Sequence, residues 1–424
     1  MDRKVVITGL GIAAPLGLDV EESWERALNG VSGISPIDPV YGKSPIRAAG
    51  QVGPREWDCI CREFPAEAET EGERRTMFAL WAAKKALSDA SLDCRSGDRS
   101  RFGISLAAGL GVNRLEDIHN WLGRDGSFDE GIFARECARV HRESIIRNNA
   151  SRPGALISDR YNFHGINATV STACASATQA LGTAFRAIRR GEADLMLAGG
   201  ADSMINPVGL IFFVLLGSAA VARMEPEQLC RPFDRKRSGL VMGEGAGIAI
   251  LEEESHARDR GAHIYAEVAG YASTMDAYRL TAPHPEGGGA EEAMRRALAD
   301  AGIQPGGIDY INAHGTSTKL NDLAETLAIK RVFGEFAAKI AVSSSKSLLG
   351  HLLAASGGPE FVFTTLSVAR DVVHPTINLT HRDPKCDLDY VPGEKRSIKI
   401  GAALSNSFGF GGQNASIVVR KYAG

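Results

Sequence analysis

Charge of one sign, paired cysteines and an unbroken membrane-length apolar run are all scarce in this 424-residue sequence, and each scarcity closes a class of function. Acidic and basic side chains nearly cancel, 51 against 48, which leaves a formal charge of -3 and a pI near 6.4. No basic face dominates, so a nucleic-acid partner is not expected. Seven cysteines, an odd number, do not make a disulfide framework, and Cys59 with Cys61 lacks the second ligand pair of a zinc site, so no metal is expected. Reduced thiols and a cytoplasmic protein follow. Residues 1–18 start with Arg3 and Lys4 and turn apolar, but Val5, Val6 and Ile7 followed by Gly9, Gly11 and Pro15 read as strand and turn and not as a signal peptide. Residues 203–222 carry no charge, just enough to span a bilayer. Asn206, Pro207, Gly209 and Gly217 interrupt them, which favours a buried helix and loop over a membrane span.

What is present is a globular composition. Hydrophobic residues at 44% and charged residues at 23% allow a large core, and 47 glycines against 17 prolines mark many tight turns. Residues 74–90 place Met77, Leu80, Trp81, Leu87 and Ala90 at helical spacing, after an amphipathic stretch over 21–29, and 102–107 reads as a short buried strand. A mixed, charged segment over 112–162 reads as a helical insertion that caps something. Strand, helix and strand follow at 168–170, 173–189 and 195–198. The second half predicts strands at 265–271, 310–313 and 340–342, helices at 290–301, 322–332 and 349–369, and two closing β-rich runs at 402–404 and 415–419. The alternation is that of an α/β protein, and the halves 1–262 and 263–424 echo each other.

Four segments can carry chemistry. In Ser171-Thr172-Ala173-Cys174-Ala175-Ser176-Ala177 a cysteine stands between strand and helix, where free N–H groups and the helix dipole favour thiolate and small neighbours leave room for a thioester. Asn312-Ala313-His314-Gly315-Thr316-Ser317-Thr318 ends a strand at a histidine, the place where α/β sites lie. Lys346-Ser347-Leu348-Leu349-Gly350-His351-Leu352 leads from strand to helix with a lysine five residues before a histidine. Asn406-Ser407-Phe408-Gly409-Phe410-Gly411-Gly412 offers backbone N–H groups that can converge as an oxyanion hole. A lone buried cysteine is ordinarily structural and a lone histidine ordinarily a satisfied core residue. The combination carries the meaning.

With these segments the chain resembles a β-ketoacyl-acyl carrier protein synthase of the elongating type, related to bacterial fatty acid and type II polyketide ketosynthases. The resemblance covers nearly the whole chain, from Val5-Val6-Ile7-Thr8-Gly9-Leu10-Gly11 through Leu197-Ala198-Gly199-Gly200-Ala201-Asp202, Arg231-Pro232-Phe233-Asp234 and Met242-Gly243-Glu244-Gly245-Ala246-Gly247 to the final glycine-rich turn. It implies a thiolase-like fold, two similar halves in a five-layer α/β/α/β/α core, as a homodimer. It implies that Cys174 takes the acyl chain as a thioester, that His314 and His351 donate to the malonyl thioester oxygen, and that Lys346 and Glu360 support His351 electrostatically. Backbone N–H groups of Cys174 and Phe410 would form the oxyanion hole, Phe410 would gate the two substrate paths, and Thr281, Thr316 and Thr318 would bind the pantetheine arm. No cofactor is implied, since malonyl and acyl thioesters arrive on the phosphopantetheine of an acyl carrier protein.

The chain departs from the family pattern at Leu349 and Gln413, where Thr is frequent, at Ser238, where Asp is usual, and at Arg279, where His is frequent. The stretch 65–73 is acidic where relatives carry Lys and Arg for carrier docking, which leaves Arg74, Arg75 and Arg223 as candidate replacements. Two alternatives remain: a non-catalytic chain-length-factor-like subunit, which would lack the nucleophilic cysteine, and a coenzyme A thiolase, which would use a second cysteine near the C-terminal glycine turn.

Overall fold

The computed structural model of the chain describes residues 3–37, 44–92, 98–109, 121–139, 146–221 and 223–424. Ten strands form its main sheet: β1 (Val5–Ala13), β2 (Phe102–Ala108), β3 (Asn167–Val170), β4 (Leu195–Asp202), β5 (Gly245–Glu253), β6 (Ala266–Met275), β7 (Tyr310–Asn312), β8 (Ala341–Ser343), β9 (Ala402–Gly409) and β10 (Gln413–Arg420). Their spatial order is β8-β7-β9-β10-β6-β1-β5-β4-β2-β3. The first five strands thus lie in the order 3-2-4-5-1 and the second five in the order 8-7-9-10-6, the same path walked twice. Directions repeat as well. β2 runs parallel to β3 and β4, as β7 does to β8 and β9, while the remaining neighbours within each half are antiparallel. The halves join where Val5–Ile7 of β1 pairs with residues 266–268 of β6.

Six helices make the layers: α1 (Arg74–Asp89), α2 (Ser176–Arg189), α3 (Pro207–Leu215), α4 (Gly288–Ala301), α5 (Lys319–Phe333) and α6 (Gly357–Arg370). α1 covers β1, β4 and β5 on the outside of the first half, and α4 covers β6 and β10 on the outside of the second, with α5 against α4. Between the halves, α2 and α6 each touch strands of both. That is a five-layer α/β/α/β/α stack. The interior pair has no solvent face, and α6 accordingly buries twelve of its residues, Gly357 to Val368, including Glu360. Three apolar cores fill the gaps: one around Trp24, Phe185 and Phe363 in the middle, one around Phe78 and Ile104 beneath α1, and one around Ile311, Ile329 and Phe333 beneath α5. Burial on both faces explains why the strands read as apolar runs and not as alternations.

The structure corrects the sequence reading in several places. The helix expected over 349–369 is broken: a short helix at Lys346–Leu349 ends, the chain turns through His351, and α6 begins at Gly357. β5 escaped the reading because its start, Gly-Ala-Gly, lacks β-formers and its end, Glu252-Glu253, is charged, yet it is wholly buried. Arg260 and Thr8 satisfy the Glu252 carboxylate, which is how an acid tolerates that position. Residues 203–221 do form helix and loop, but α3 is not buried: Ile211, Phe212 and Leu215 face solvent. Among the described residues no helix is long and apolar enough to cross a membrane. Within 112–162, helices span Glu130–Glu136 and Arg152–Tyr161, while residues 112–120 and 140–145 lie outside the described residues.

Candidate active site

Both decisive loops follow equivalent strands. Cys174 comes after β3 and before α2, and His351 after β8 and before α6, so the internal repeat delivers two chemical groups to the two central helices. The cysteine turn is tense. Ala173 has φ 50°, a left-handed conformation that costs a non-glycine residue roughly 1–3 kcal/mol. Ser176 holds it: its Oγ accepts from Thr172 N at 2.7 Å and donates to the Ala173 carbonyl at 2.6 Å. The end of β9 presses on the same turn, because a Cβ on Gly409 would stand 3.0 Å from Cys174 N and 3.1 Å from Ala175 N.

The sulfur does not behave as the helix N-terminus suggests. Helix α2 starts at Ser176, beyond Cys174, and burial pushes the Cys174 pKa up to about 11 although the Phe410 N–H and the Lys346 charge pull it down. Desolvation outweighs the dipole, so the resting nucleophile is a thiol, contrary to the expected thiolate. The Phe410 N–H that donates to the sulfur is also one of the two oxyanion donors expected from the sequence.

His314 hangs from the end of β7. Its own N–H and that of Gly315 donate to the two oxygens of the Glu325 carboxylate at 2.8 and 2.9 Å, so one buried acid on α5 fixes the histidine main chain. Burial raises Glu325 to about 7. The sequence reading missed Glu325, since a carboxylate on the inner face of a helix leaves no periodic signal. Lys346 Nζ sits 3.2 Å from His314 Nδ1. An ammonium only donates, so Nδ1 accepts and the ring proton lies on Nε2.

His351 is clamped through its backbone. Its N–H donates to the Val241 carbonyl at 2.7 Å and its carbonyl accepts from Gly243 N at 2.8 Å, which is why the chain cannot continue as helix there. A Cβ on Gly243 would lie 2.8 Å from the Leu349 carbonyl, so only glycine lets the clamp close. The Leu353 N–H donates to His351 Nδ1 at 3.1 Å, with the Ser356 hydroxyl at 2.7 Å, and again the proton is left on Nε2. The two rings stand 5.3 Å apart and nearly perpendicular. Burial, reinforced by the Lys346 charge, holds both imidazoles well below their ordinary pKa, so both are neutral donors.

Lys346 and Glu360 form a buried ion pair behind the site. Burial lifts Glu360 to about 7 against the pull of the lysine. The Lys346 charge reaches His351 as expected, but its direct contact is with the His314 ring, because the chain reverses between Lys346 and His351 and the latter's Nδ1 is already taken. Asp202, also missed, closes the turn after His351 by accepting from Ala354 N at 2.9 Å.

Cys174, His314 and His351 line one cavity of about 360 Å³ together with Phe410, Thr281, Thr316 and Thr318. The three catalytic candidates are buried, whereas Leu280 and Leu320 on the same lining are exposed, so the cavity runs from a dry interior to an open mouth. Thr316 and Thr318 bond each other through their hydroxyls at 2.9 Å along the way. Such a shape admits a slender polar arm and brings its end to a sulfur beneath two neutral N–H donors.

Comparison with known proteins agrees with this geometry. The beta-ketoacyl synthase N-terminal domain matches residues 2–257 and the beta-ketoacyl synthase C-terminal domain residues 265–380. The chain is 41% identical over 423 residues to the 3-oxoacyl-[acyl-carrier-protein] synthase 2 of Synechocystis sp., covering 99% of this chain and 98% of that one. It is 40% identical over 423 residues to the protein of the same name from Staphylococcus aureus, covering 99% of each. It superposes with a TM-score of 0.89 and 36% identity, over 100% of both chains, on a structure described as a type II PKS acyl-carrier protein in complex with its ketosynthase bound to the hexaketide.

Proposed function

This chain belongs to the beta-ketoacyl synthase family and is an acyltransferase, and from that premise we propose how its residues carry out the condensation of a malonyl thioester with an enzyme-bound acyl group. An acyl carrier protein delivers an acyl thioester through the mouth. Cys174 attacks its carbonyl, the carrier's sulfur leaves, and the thiol proton passes to that departing sulfur, so the net exchange needs no added base. Because the resting thiol is protonated, the Phe410 N–H at the sulfur and the nearby Lys346 charge help the attacking thiolate form.

A malonyl thioester then enters. Its C–C bond to the carboxylate breaks, carbon dioxide leaves, and the electron pair becomes an enolate whose oxygen lies against Nε2–H of His314 and His351. Donors fixed in advance in a dry site stabilise such charge, each worth about 2.7–4 kcal/mol in comparable holes. The enolate carbon attacks the acyl-Cys174 carbonyl, the Cys174 sulfur departs and takes up a proton, and a 3-oxoacyl thioester is released on the carrier. Lys346 and Glu360 keep the His314 tautomer and do not shuttle protons. Thr281, Thr316 and Thr318 bind the pantetheine arm, and the scheme calls on no cofactor.

The observation that carries this reading is the meeting of one buried sulfur and two neutral imidazoles in one cavity. A chain-length factor is disfavoured by the presence of Cys174, and a thiolase by the single cysteine on the described lining. We also infer a homodimer, since β3 is an edge strand paired on one side only, with Asn167 and Thr169 exposed. A reducing cytoplasmic setting suits the described cysteines, all unpaired. The reading is tested by mass spectrometry of the enzyme after incubation with an acyl-charged carrier protein. The expected result is an adduct on wild type and none on Cys174→Ala; a Cys174→Ala enzyme that still elongates would refute it.

A further inference from the structure

Of the arginines that the sequence offers for carrier docking, Arg74 and Arg75 are committed elsewhere. Arg74 pairs with Glu244. Arg75 is buried on α1; its guanidinium donates to the Gly109 carbonyl at 3.0 Å and to the Arg147 carbonyl at 3.4 Å, and stands 3.2 Å from the Glu73 carboxylate. Gly109 follows directly on β2 and lies flush against Asp202 at the end of β4: a Cβ there would come within 2.4 and 2.5 Å of the two carboxylate oxygens. Asp202 is 2% exposed, and each of its oxygens takes one main-chain N–H, Oδ1 that of Ser203 at 2.8 Å and Oδ2 that of Ala354 at 2.9 Å. Burial pushes it up to about 6 against the pull of the Ala354 N–H and the Arg75 charge, so above neutral pH it is an anion.

The far side of this contact is the turn that shapes His351. Leu353–Ala355 is a single turn of 3-10 helix between His351 and α6, and its first two amides serve different groups: that of Leu353 goes to His351 Nδ1, that of Ala354 to Asp202. Leu353 has φ 52°, a conformation that a leucine keeps only where its surroundings impose it. β4 lies close enough to do so, since a Cβ on Gly200 would stand 3.2 Å from the Ala354 carbonyl. Asp202 therefore grips the amide next to the one that fixes the histidine tautomer. The Cys174 turn has a separate holder in Ser176.

We propose that Asp202 is a positioning residue for the condensation step. Kept in place by Gly109 and Arg75, its carboxylate anchors the Ala354 N–H, holds the Leu353 N–H on His351 Nδ1 and so presents the His351 Nε2–H to the enolate, without touching substrate itself. The proposal rests on the condensing reading above. A carboxylate suits the place because both oxygens accept and neither carries a hydrogen that would face an amide. An asparagine has one acceptor oxygen and one donor nitrogen, so either Ser203 or Ala354 would lose its partner. Removing the charge harms His351 and spares the nucleophile, since the Asp202 charge disfavours the Cys174 thiolate. A residue that only supported packing would weaken both half-reactions together.

The test uses the full chain in single turnover. Cys174 is first loaded from an acyl-charged bacterial fatty-acid carrier protein and the acyl-enzyme is quantified by mass spectrometry; malonyl-charged carrier is then added and 3-oxoacyl product is followed per acyl-enzyme. Asp202→Asn is expected to lower the maximal condensation rate at least about tenfold and to shift the malonyl-carrier concentration for half-maximal rate less than about threefold. Loading of Cys174 should stay within about twofold of wild type or exceed it. Gly109→Ala, whose methyl group displaces the carboxylate, is expected to reproduce that split. A smaller loss of condensation in Asp202→Asn, an equal fall of loading and condensation, or a folded Gly109→Ala that condenses like wild type would each overturn the proposal. Asp202→Asn keeps the side-chain shape, so it decides the matter even where Gly109→Ala does not fold. A wild type that loads Cys174 and condenses upholds the underlying reading whichever way the variants fall, whereas a wild type that does neither removes both.

Discussion

Cys174 is a nucleophile that its surroundings keep protonated, and this sets how it responds to pH. With its pKa pushed up to about 11, the thiolate fraction grows about tenfold per pH unit across the neutral and mildly alkaline range. Alkylation by iodoacetamide, followed by mass spectrometry, is therefore expected to accelerate continuously from pH 7 to 9.5; a plateau near pH 8 would show that the helix N–H groups dominate after all. The imidazoles divide the labour differently. His351→Ala is expected to leave acylation of Cys174 detectable while condensation falls about 100- to 1,000-fold, the loss typical of one such donor. Residue identities in these loops were legible in the sequence because a cysteine before a helix and histidines after strands are local features. Burial was not, and the thiol state and the pairing of Lys346 with His314 both depend on burial and on chain reversals that no local pattern announces.

At the scale of elements, the site is held by backbone contacts between segments far apart in sequence. The two backbone hydrogen bonds that Val241 and Gly243 make with His351 are the clearest case. Gly243→Ala puts a methyl group 2.8 Å from the Leu349 carbonyl, and overpacking of that kind costs about 1–3 kcal/mol, so denaturant titration should show a loss in that range. Condensation should fall further than acylation, since the clamp carries His351 and not Cys174. Glu325→Gln replaces one acceptor oxygen with a donor, leaving one of the His314 and Gly315 N–H groups facing an NH2. The expected outcome is reduced condensation with acylation retained, read from product and adduct in the same sample. Most elements could be read from apolar periodicity, α1 and α4 nearly to their ends. β5 could not, and the break at His351 was hidden because a glycine inside an apolar stretch is compatible with a continuing helix.

The molecule as a whole is one path walked twice, and the pairing of strands across hundreds of residues was invisible in the sequence even though the alternation of strand and helix was plain. Five strands in the order 3-2-4-5-1 and five in 8-7-9-10-6 leave β8 and β3 at the two edges, of which β8 is buried and β3 exposes Asn167 and Thr169. Sedimentation equilibrium should give twice the 45.2 kDa chain mass, and Thr169→Lys, which places a charge on that edge, should shift the population toward single chains. The placement of the groups along this double path has a further consequence. The sulfur follows β3 at one edge of the sheet and the His351 ring follows β8 at the other, so the reacting groups come from opposite ends of the double path and meet over the two central helices. Parting the halves would take the sulfur from both imidazoles at once, so chain growth reports on how the halves dock and not on the integrity of either alone.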